Sequence, residues 1–248
     1  MGKTTTAVAL GGLLAEQGQR VLLLDLDPHG SLTSYFHYEA ERLSNSSFDL
    51  FGEQPLALPK LRELVHTTSI DGMGLIPSTM ALATIERRAS VEGMGLKVSK
   101  ALALLWDDFD YVLIDTPPVL GALMINSLAA CERLLIPVQT EFLALKGLER
   151  MLRTITMVTR SLHKNLDYLV IPTMFDRRTQ ASLGALRHLR NTYGESLWPS
   201  MIPVDTRFRD ASKAGLTPSQ NDDQARGVAA YRSLLKFLLN LGNQRLRA

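Results

Sequence analysis

Cysteine is nearly absent from this chain: Cys131 stands alone among 248 residues. One thiol cannot make an internal disulfide, so the fold must be held by its core rather than by cross-links. Long apolar runs are missing as well. No stretch approaches the 18 or so residues of a membrane span, and a secretory leader is not expected. Aromatic residues make up 6% of the chain and do not interleave with basic residues in the way that stacks single-stranded bases. A helix-turn-helix signal, an internal repeat, a low-complexity tract and an interdomain linker are also lacking. Formal net charge is +2, too small to mark the whole chain as a polyanion binder. What remains is a chain 46% hydrophobic, able to bury a sizeable core. The expectation is a soluble, cytosolic enzyme folded as a single domain over residues 1–248.

The chain starts inside a phosphate-binding pattern. Gly2-Lys3-Thr4-Thr5 matches the second half of G-x-x-x-x-G-K-[ST] and runs on into a helical segment ending near Gly18. Backbone N–H groups of such a turn and of the helix start converge on phosphate oxygens. The lysine reaches the terminal phosphates and a hydroxyl holds Mg²⁺. The first glycines of the turn, and the strand that would lead into it, are absent.

Context strengthens this short match. Residues Arg20-Val21-Leu22-Leu23-Leu24-Asp25-Leu26-Asp27 form a continuous apolar run of the kind buried in a parallel sheet, ending in carboxylates spaced i, i+2 that point the same way. Tyr111-Val112-Leu113-Ile114-Asp115 repeats the form. Ligands of open α/β sheets sit beyond the carboxyl ends of the strands. Strand patterns near Arg20–Leu26, Gly74–Pro77, Tyr111–Asp115, Arg133–Val138, Tyr168–Thr173 and Ser200–Pro203 alternate with helical ones. The helices are expected near Thr4–Gln17, Pro59–Thr67, Leu96–Trp106, Ala122–Ala130, Lys146–Ser161, Thr179–Thr192 and Ala225–Leu241. This order predicts an α/β fold with a doubly wound, mostly parallel sheet flanked by helices. The polar stretch Asn45–Pro59 reads as a surface loop.

With these residues in view, the chain resembles the ParA/MinD group of deviant Walker A ATPases, a P-loop NTPase family. The likeness rests on Gly2–Thr6, Asp25-Leu26-Asp27-Pro28-His29-Gly30-Ser31, Ile114–Pro118, Leu135–Glu141, Phe175–Thr179 and Ile202–Arg207, in family order across nearly the whole chain. Part of the wording, Asp27 to Phe36, resembles the ParC branch that positions chemotaxis arrays. The resemblance implies roles for individual residues. Lys3 would neutralise the β- and γ-phosphates and Thr5 would bond the α-phosphate, with Gly2 shaping the turn. Thr4 would ligate Mg²⁺, with Asp25 and Asp115 acting on the metal indirectly. For Asp25, capping the strand end is an equal reading. Asp27 would orient the attacking water; phosphoryl transfer asks for positioning and charge neutralisation more than covalent chemistry. Adenine contacts would come from Met174-Phe175-Asp176 and Pro203-Val204-Asp205. His29 and Ser31 stand where the family commonly has Gln and Asn.

The same family begins its loop K-G-G-V-G-K-T-T, and its first lysine reaches the partner's ATP across a dimer. That portion is missing here. Either the sequence starts downstream of the natural beginning, or the protein has lost nucleotide-dependent dimerisation. A lost central strand would forfeit on the order of 10 kcal/mol, the scale of a whole domain's stability, which favours the first reading. The 248 residues alone are therefore expected to fold poorly or work weakly until about a dozen upstream residues are restored. Met1–Thr6 also matches M-G-x-x-x-[ST], the N-myristoylation pattern, read here as coincidence.

Basic residues cluster late. Residues 177–213 hold seven against three acids, and the last 25 residues hold five more with no acid. In partition members of the family such residues grip DNA phosphates without sequence preference. Arg207, Arg209 and Lys213 are the candidates here, against a solvated helix face. The final helix, with Val228, Tyr231, Leu234, Leu235, Leu238 and Leu241 at helical spacing, reads as core-packing rather than as a membrane-surface helix. The function implied is a slow, partner-stimulated ATPase, cytoplasmic and polar or nucleoid-associated. Its ATP- and Mg²⁺-dependent homodimer would position chemotaxis arrays or plasmid and chromosome partition complexes, with a ParB-like protein or an array adaptor triggering hydrolysis. The alternatives are a metabolic ligase of the cobyrinic acid diamide synthase or dethiobiotin synthetase type, and a nucleotide-dead scaffold. No substrate pocket or glutaminase segment is visible for the former.

Overall fold

The computed structural model describes residues 2–87 and 94–245. Met1 of the acylation pattern and Arg247 of the basic tail lie outside them. Helices are α1 (Lys3–Ala15), α2 (Ser31–Tyr35), α3 (Leu58–Glu63), α4 (Ala83–Arg87), α5 (Lys97–Leu104) and α6 (Ala122–Ala130). They continue with α7 (Phe142–Ser161), α8 (Gln180–Tyr193), α9 (Arg207–Ala214), α10 (Pro218–Asn221) and α11 (Arg226–Arg245). Strands are β1 (Val21–Asp25), β2 (His66–Thr67), β3 (Met73–Ile76), β4 (Tyr111–Asp115), β5 (Arg133–Gln139) and β6 (Asp167–Thr173). The chain divides into two compact units, residues 1–13, 133–153 and 167–248 in one, residues 14–132 and 154–166 in the other.

The second unit is built on a four-stranded sheet ordered β2-β3-β1-β4. β1 pairs in parallel with both β3 and β4, and β2 joins antiparallel at one side. Every residue of β1 is buried, as a parallel strand covered on both faces must be. Register between β1 and β4 is fixed at both ends. Arg20 pairs with Asp110 at 2.7 Å before the strands begin, and the Leu26 N–H donates to the Asp115 carbonyl at 2.9 Å beyond them. Leu22, Leu24, Ile76, Leu82, Val98 and Leu123 fill the core on this sheet. Tyr111 to Ile114 of β4 are half-buried, and no further strand flanks β4 among the described residues.

The first unit carries β5 and β6 paired in parallel over seven residues. Ile136, Val138, Leu148, Val170 and Leu189 pack as its core. α11 turns Val228, Tyr231, Leu234 and Leu235 inward and leaves Arg232 and Lys236 exposed, the core-packing arrangement its spacing predicts. No helix among the described residues is long and apolar enough to cross a membrane.

The mostly parallel sheet flanked by helices matches the expectation, with four local corrections. Asn45–Pro59 is not a plain surface loop: a 3₁₀ turn over Ser47–Phe51 buries Ser47, Leu50 and Phe51, opened by a capping box between Ser46 and Asp49. The helix expected over Pro59–Thr67 stops at Glu63, because the β-branched run that follows enters strand β2 instead. Ser200–Pro203 makes no strand beyond a single bridge from Pro203 to Phe175; Pro199 and Pro203 cannot donate to a ladder. Finally, α2, α4, α9 and α10 lie outside the helices expected from the sequence.

Candidate nucleotide site

The phosphate-loop half lies in the first unit. Gly2 takes a left-handed φ of 86°, a conformation that glycine adopts without steric cost. The chain then enters α1 directly, and the Thr6 N–H closes the first turn on the Gly2 carbonyl at 2.9 Å. Gly2, Lys3, Thr4 and Thr5 are all partly accessible. The amides at this helix start are short of intrahelical acceptors, which together with the macrodipole makes the turn an anion site.

The same unit brings Met174-Phe175-Asp176 beside Pro203-Val204-Asp205. The Phe175 N–H donates to Ile202 O at 3.0 Å, and Val204 N–H to Phe175 O at 3.1 Å. Met174 has a left-handed φ of 52°. Met174 and Val204 present apolar side chains to solvent. The two acids of this pair of segments are otherwise engaged. Asp176 forms an ion pair with Arg178 at 2.7 Å, whose guanidinium hydrogen bond holds its carboxyl down at about 2. Asp205 accepts the Arg207 N–H and the Gly227 N–H, each at 3.1 Å, so its carboxylate ties the first turns of α9 and α11.

The acidic residues lie in the second unit. Asp25 and Asp115 are register partners at the carboxyl ends of β1 and β4, and both are buried. Asp25 Oδ2 accepts from the Thr33 N–H at 2.9 Å and the Thr33 hydroxyl at 2.7 Å, while Oδ1 accepts the Asp27 N–H at 3.0 Å. Burial drives the Asp25 carboxyl up to about 6, the Thr33 hydroxyl pulling against it and the Asp115 charge adding to the rise. Thr33 in turn accepts the Ser78 N–H at 2.8 Å. Asp25 therefore organises the whole 25–33 turn, including Gly30 at φ 62°, and its oxygens are occupied by protein donors. Asp27 stands at the mouth of that turn, with His29 donating its N–H to Oδ1 at 3.0 Å and placing Nδ1 2.9 Å from the same oxygen. The His29 ring is 79% exposed.

No cluster of three or more His, Cys, Asp or Glu suited to a metal occurs among the described residues. Mg²⁺ keeps several waters and takes one or two protein oxygens plus substrate phosphates. Within the second unit, Asp25 and Asp115 offer two buried carboxylates at adjacent strand ends, a sparse oxygen donor set of the kind Mg²⁺ accepts.

Of the basic candidates, Arg207 pairs with Asp222 at 3.0 Å. Arg209 and Lys213, four residues apart on α9, share an exposed face. Sequence reasoning missed Glu86, whose carboxylate accepts the Ala122 N–H at 2.9 Å and the Leu123 N–H at 3.2 Å, and Lys164, which donates to the carbonyls of Leu128, Ala129 and Cys131. Together they cap both ends of the helix that follows the Asp115 strand.

Residues 1–168 match the AAA domain family AAA_31. The chain is 38% identical over 240 residues to the chromosome-partitioning ATPase Soj of Thermus thermophilus, covering 96% of this chain and 91% of that protein. It is 32% identical to the sporulation initiation inhibitor protein Soj of Bacillus subtilis, covering 95% and 92%. Among solved structures it is similar to cobyrinic acid a,c-diamide synthase from Mycobacterium smegmatis with bound ATP analog and magnesium, at TM-score 0.79, 33% identity, and 96% and 89% coverage. By the family match and these identities, the chain belongs to the ParA/Soj family of P-loop ATPases.

Proposed function

We propose that residues 1–248 work as one ATPase domain that binds ATP with Mg²⁺ and hydrolyses it to time the positioning of a cellular cargo. The observation that carries this reading is the left-handed Gly2 opening directly into α1, with Lys3, Thr4 and Thr5 accessible at the helix start. Gly2 to Thr5 hold the phosphates, Lys3 carrying the charge of the β- and γ-groups. Thr4 on the loop, and Asp25 and Asp115 at the strand tips, are the residues that would hold Mg²⁺, which would supply neutralisation of phosphate charge. Asp27 orients the attacking water. Met174 to Asp176 and Pro203 to Asp205 line the adenine through backbone groups and the Met174 and Val204 side chains, since Asp176 and Asp205 are committed elsewhere.

The partition reading is favoured over the ligase reading by the relatives. Two Soj proteins, one named a chromosome-partitioning ATPase, align with nearly all of this chain. The cargo is then a partition complex or a chemotaxis array, a nucleotide-bound homodimer is the working form, and a partner protein triggers hydrolysis. Association with the nucleoid or a cell pole follows from DNA or partner capture. The test is ATP turnover by the full chain, with and without double-stranded DNA, beside Lys3→Ala and Asp27→Ala. Turnover that DNA or a partner raises, and that both substitutions abolish, supports the reading. Turnover that requires a small carboxylic acid supports the ligase, and no ATP binding sinks both.

A further inference from the structure

We infer that Tyr231 is a positioning residue for the phosphate loop, acting from the C-terminal helix through Thr6 on the Gly2 carbonyl. This rests on the reading of Gly2 to Thr5 as the nucleotide loop. The Thr6 hydroxyl lies 2.7 Å from Gly2 O and donates to it, and it lies 2.9 Å from the Tyr231 hydroxyl. A hydroxyl has a single proton. Because Thr6 spends its own on Gly2, the Tyr231 O–H must donate to Thr6. The result is a directed chain, Tyr231 to Thr6 to Gly2, and each bond in such a chain polarises the next. The Gly2 carbonyl also receives the Thr6 N–H, so both its lone pairs are held from one side, and the Gly2–Lys3 peptide cannot turn without breaking two bonds.

Tyr231 itself is fixed. Its ring is fully buried, and burial pushes its hydroxyl up to about 12, so it remains a donor throughout the neutral range. The Phe208 ring packs against it at 5.7 Å between centroids, tilted by 57°. Phe208 is seated in turn by Gly227, where an added Cβ would lie 2.1 Å from the Phe208 ring. Further along α1, Gly12 has no Cβ and so leaves room for the Thr217 side chain. Two glycine close approaches thus set the spacing at which a tyrosine hydroxyl on α11 reaches a threonine on α1. The hydroxyl is the one polar atom of Tyr231's side chain, and in this apolar setting it would be costly to bury without Thr6.

Tyr231→Phe removes the donor and keeps the ring. It is expected to raise the ATP Kd and KM about fivefold, the worth of a net hydrogen bond, with kcat unchanged within twofold. Thr6→Val should do the same, and the double variant should be no worse than either single one. Leu234→Val, on the same helix but outside the chain, serves as the structural control and should leave the Kd unchanged while lowering Tm. Amide hydrogen exchange in the nucleotide-free protein gives a readout independent of ATP: the Thr6 amide should lose protection in Tyr231→Phe. Unchanged Kd and unchanged Thr6 protection in Tyr231→Phe overturn the inference, as does an equal rise in Kd for Leu234→Val. Absence of ATP binding by the unsubstituted chain overturns the ATPase reading, and the exchange result then still decides this one.

Discussion

Asp25 and Asp115 stand in register across the parallel pair β1–β4, two buried carboxylates at adjacent strand ends. The consequence is measurable without nucleotide. The folded-state value of Asp25 is raised to about 6, so the native state holds this proton more tightly than the unfolded chain. Its contribution to stability is complete below the unfolded value of 3.8 and is lost as pH rises through about 6. The loss amounts to on the order of 3 kcal/mol for a group this deeply buried. His66, shifted down by burial, works in the opposite direction, so the difference between proteins isolates Asp25. Urea unfolding from pH 4.5 to 7.5 should show Asp25→Asn losing the downward component present in the unsubstituted protein. Parallel pH profiles for the two proteins would refute it.

Asp27 and His29 share a contact at one carboxylate oxygen. If Asp27 orients the water, Asp27→Asn should cut turnover roughly hundredfold or more while leaving ATP affinity within a few-fold. His29 contacts the same carboxylate from an exposed position, so His29→Ala should reduce turnover less than tenfold. Single-turnover hydrolysis beside nucleotide titration checks both. An Asp27→Asn protein that hydrolyses ATP normally removes Asp27 from the mechanism.

The parts of this molecule that were legible in sequence are those whose cause is local. Asp25 and Asp115 could be located because each ends an unbroken apolar run, and strand tips are where open sheets present ligands' partners. Gly2 and α1 were readable because a turn residue and a helix start are adjacent. Leu50 and Phe51 were hidden by polar neighbours; the Ser46–Asp49 capping box was the available signal. α9 is short and mostly polar, and α10 is four residues long, so neither shows a full hydrophobic period. Glu86 meets Ala122 36 residues later, and Thr6 meets Tyr231 across 225. Pairings of that separation leave no pattern in a single sequence.

Helix α6 depends on two side chains from elsewhere in its unit. Glu86 satisfies the first amides and Lys164 the last carbonyls, both ends that a helix cannot satisfy internally. Glu86→Ala and Lys164→Met should each cost roughly 1–2 kcal/mol, lowering Tm by about 2–4 °C per kcal/mol in a chain of this size. The two ends share no partner, so the costs should add. Gly121→Ala should behave like Glu86→Ala, because its Cβ would fall 1.5 Å from the Glu86 carboxylate and displace it. Combined with Glu86→Ala, it should add little. Thermal melts of the three single and two double variants test this; additive losses for the Gly121 and Glu86 pair would show that the cap is not what the glycine protects.

The basic face of α9 makes the last prediction. Arg209 and Lys213 share one exposed side of the helix, while Arg207 is already paired with Asp222. A phosphate backbone gripping this face would release counterions in proportion to the cations it meets. Arg209→Ala and Lys213→Ala should therefore each weaken binding to double-stranded DNA of any sequence and lower the slope of log affinity against log salt by about one. Arg207→Ala should change the slope much less, and its loss should appear as a small drop in Tm from the broken ion pair with Asp222. Fluorescence anisotropy in the presence of Mg-ATP, over a salt series, separates the three. Equal slopes for all three proteins and the unsubstituted chain would mean that α9 carries a solvated charge face and that any DNA contact lies elsewhere.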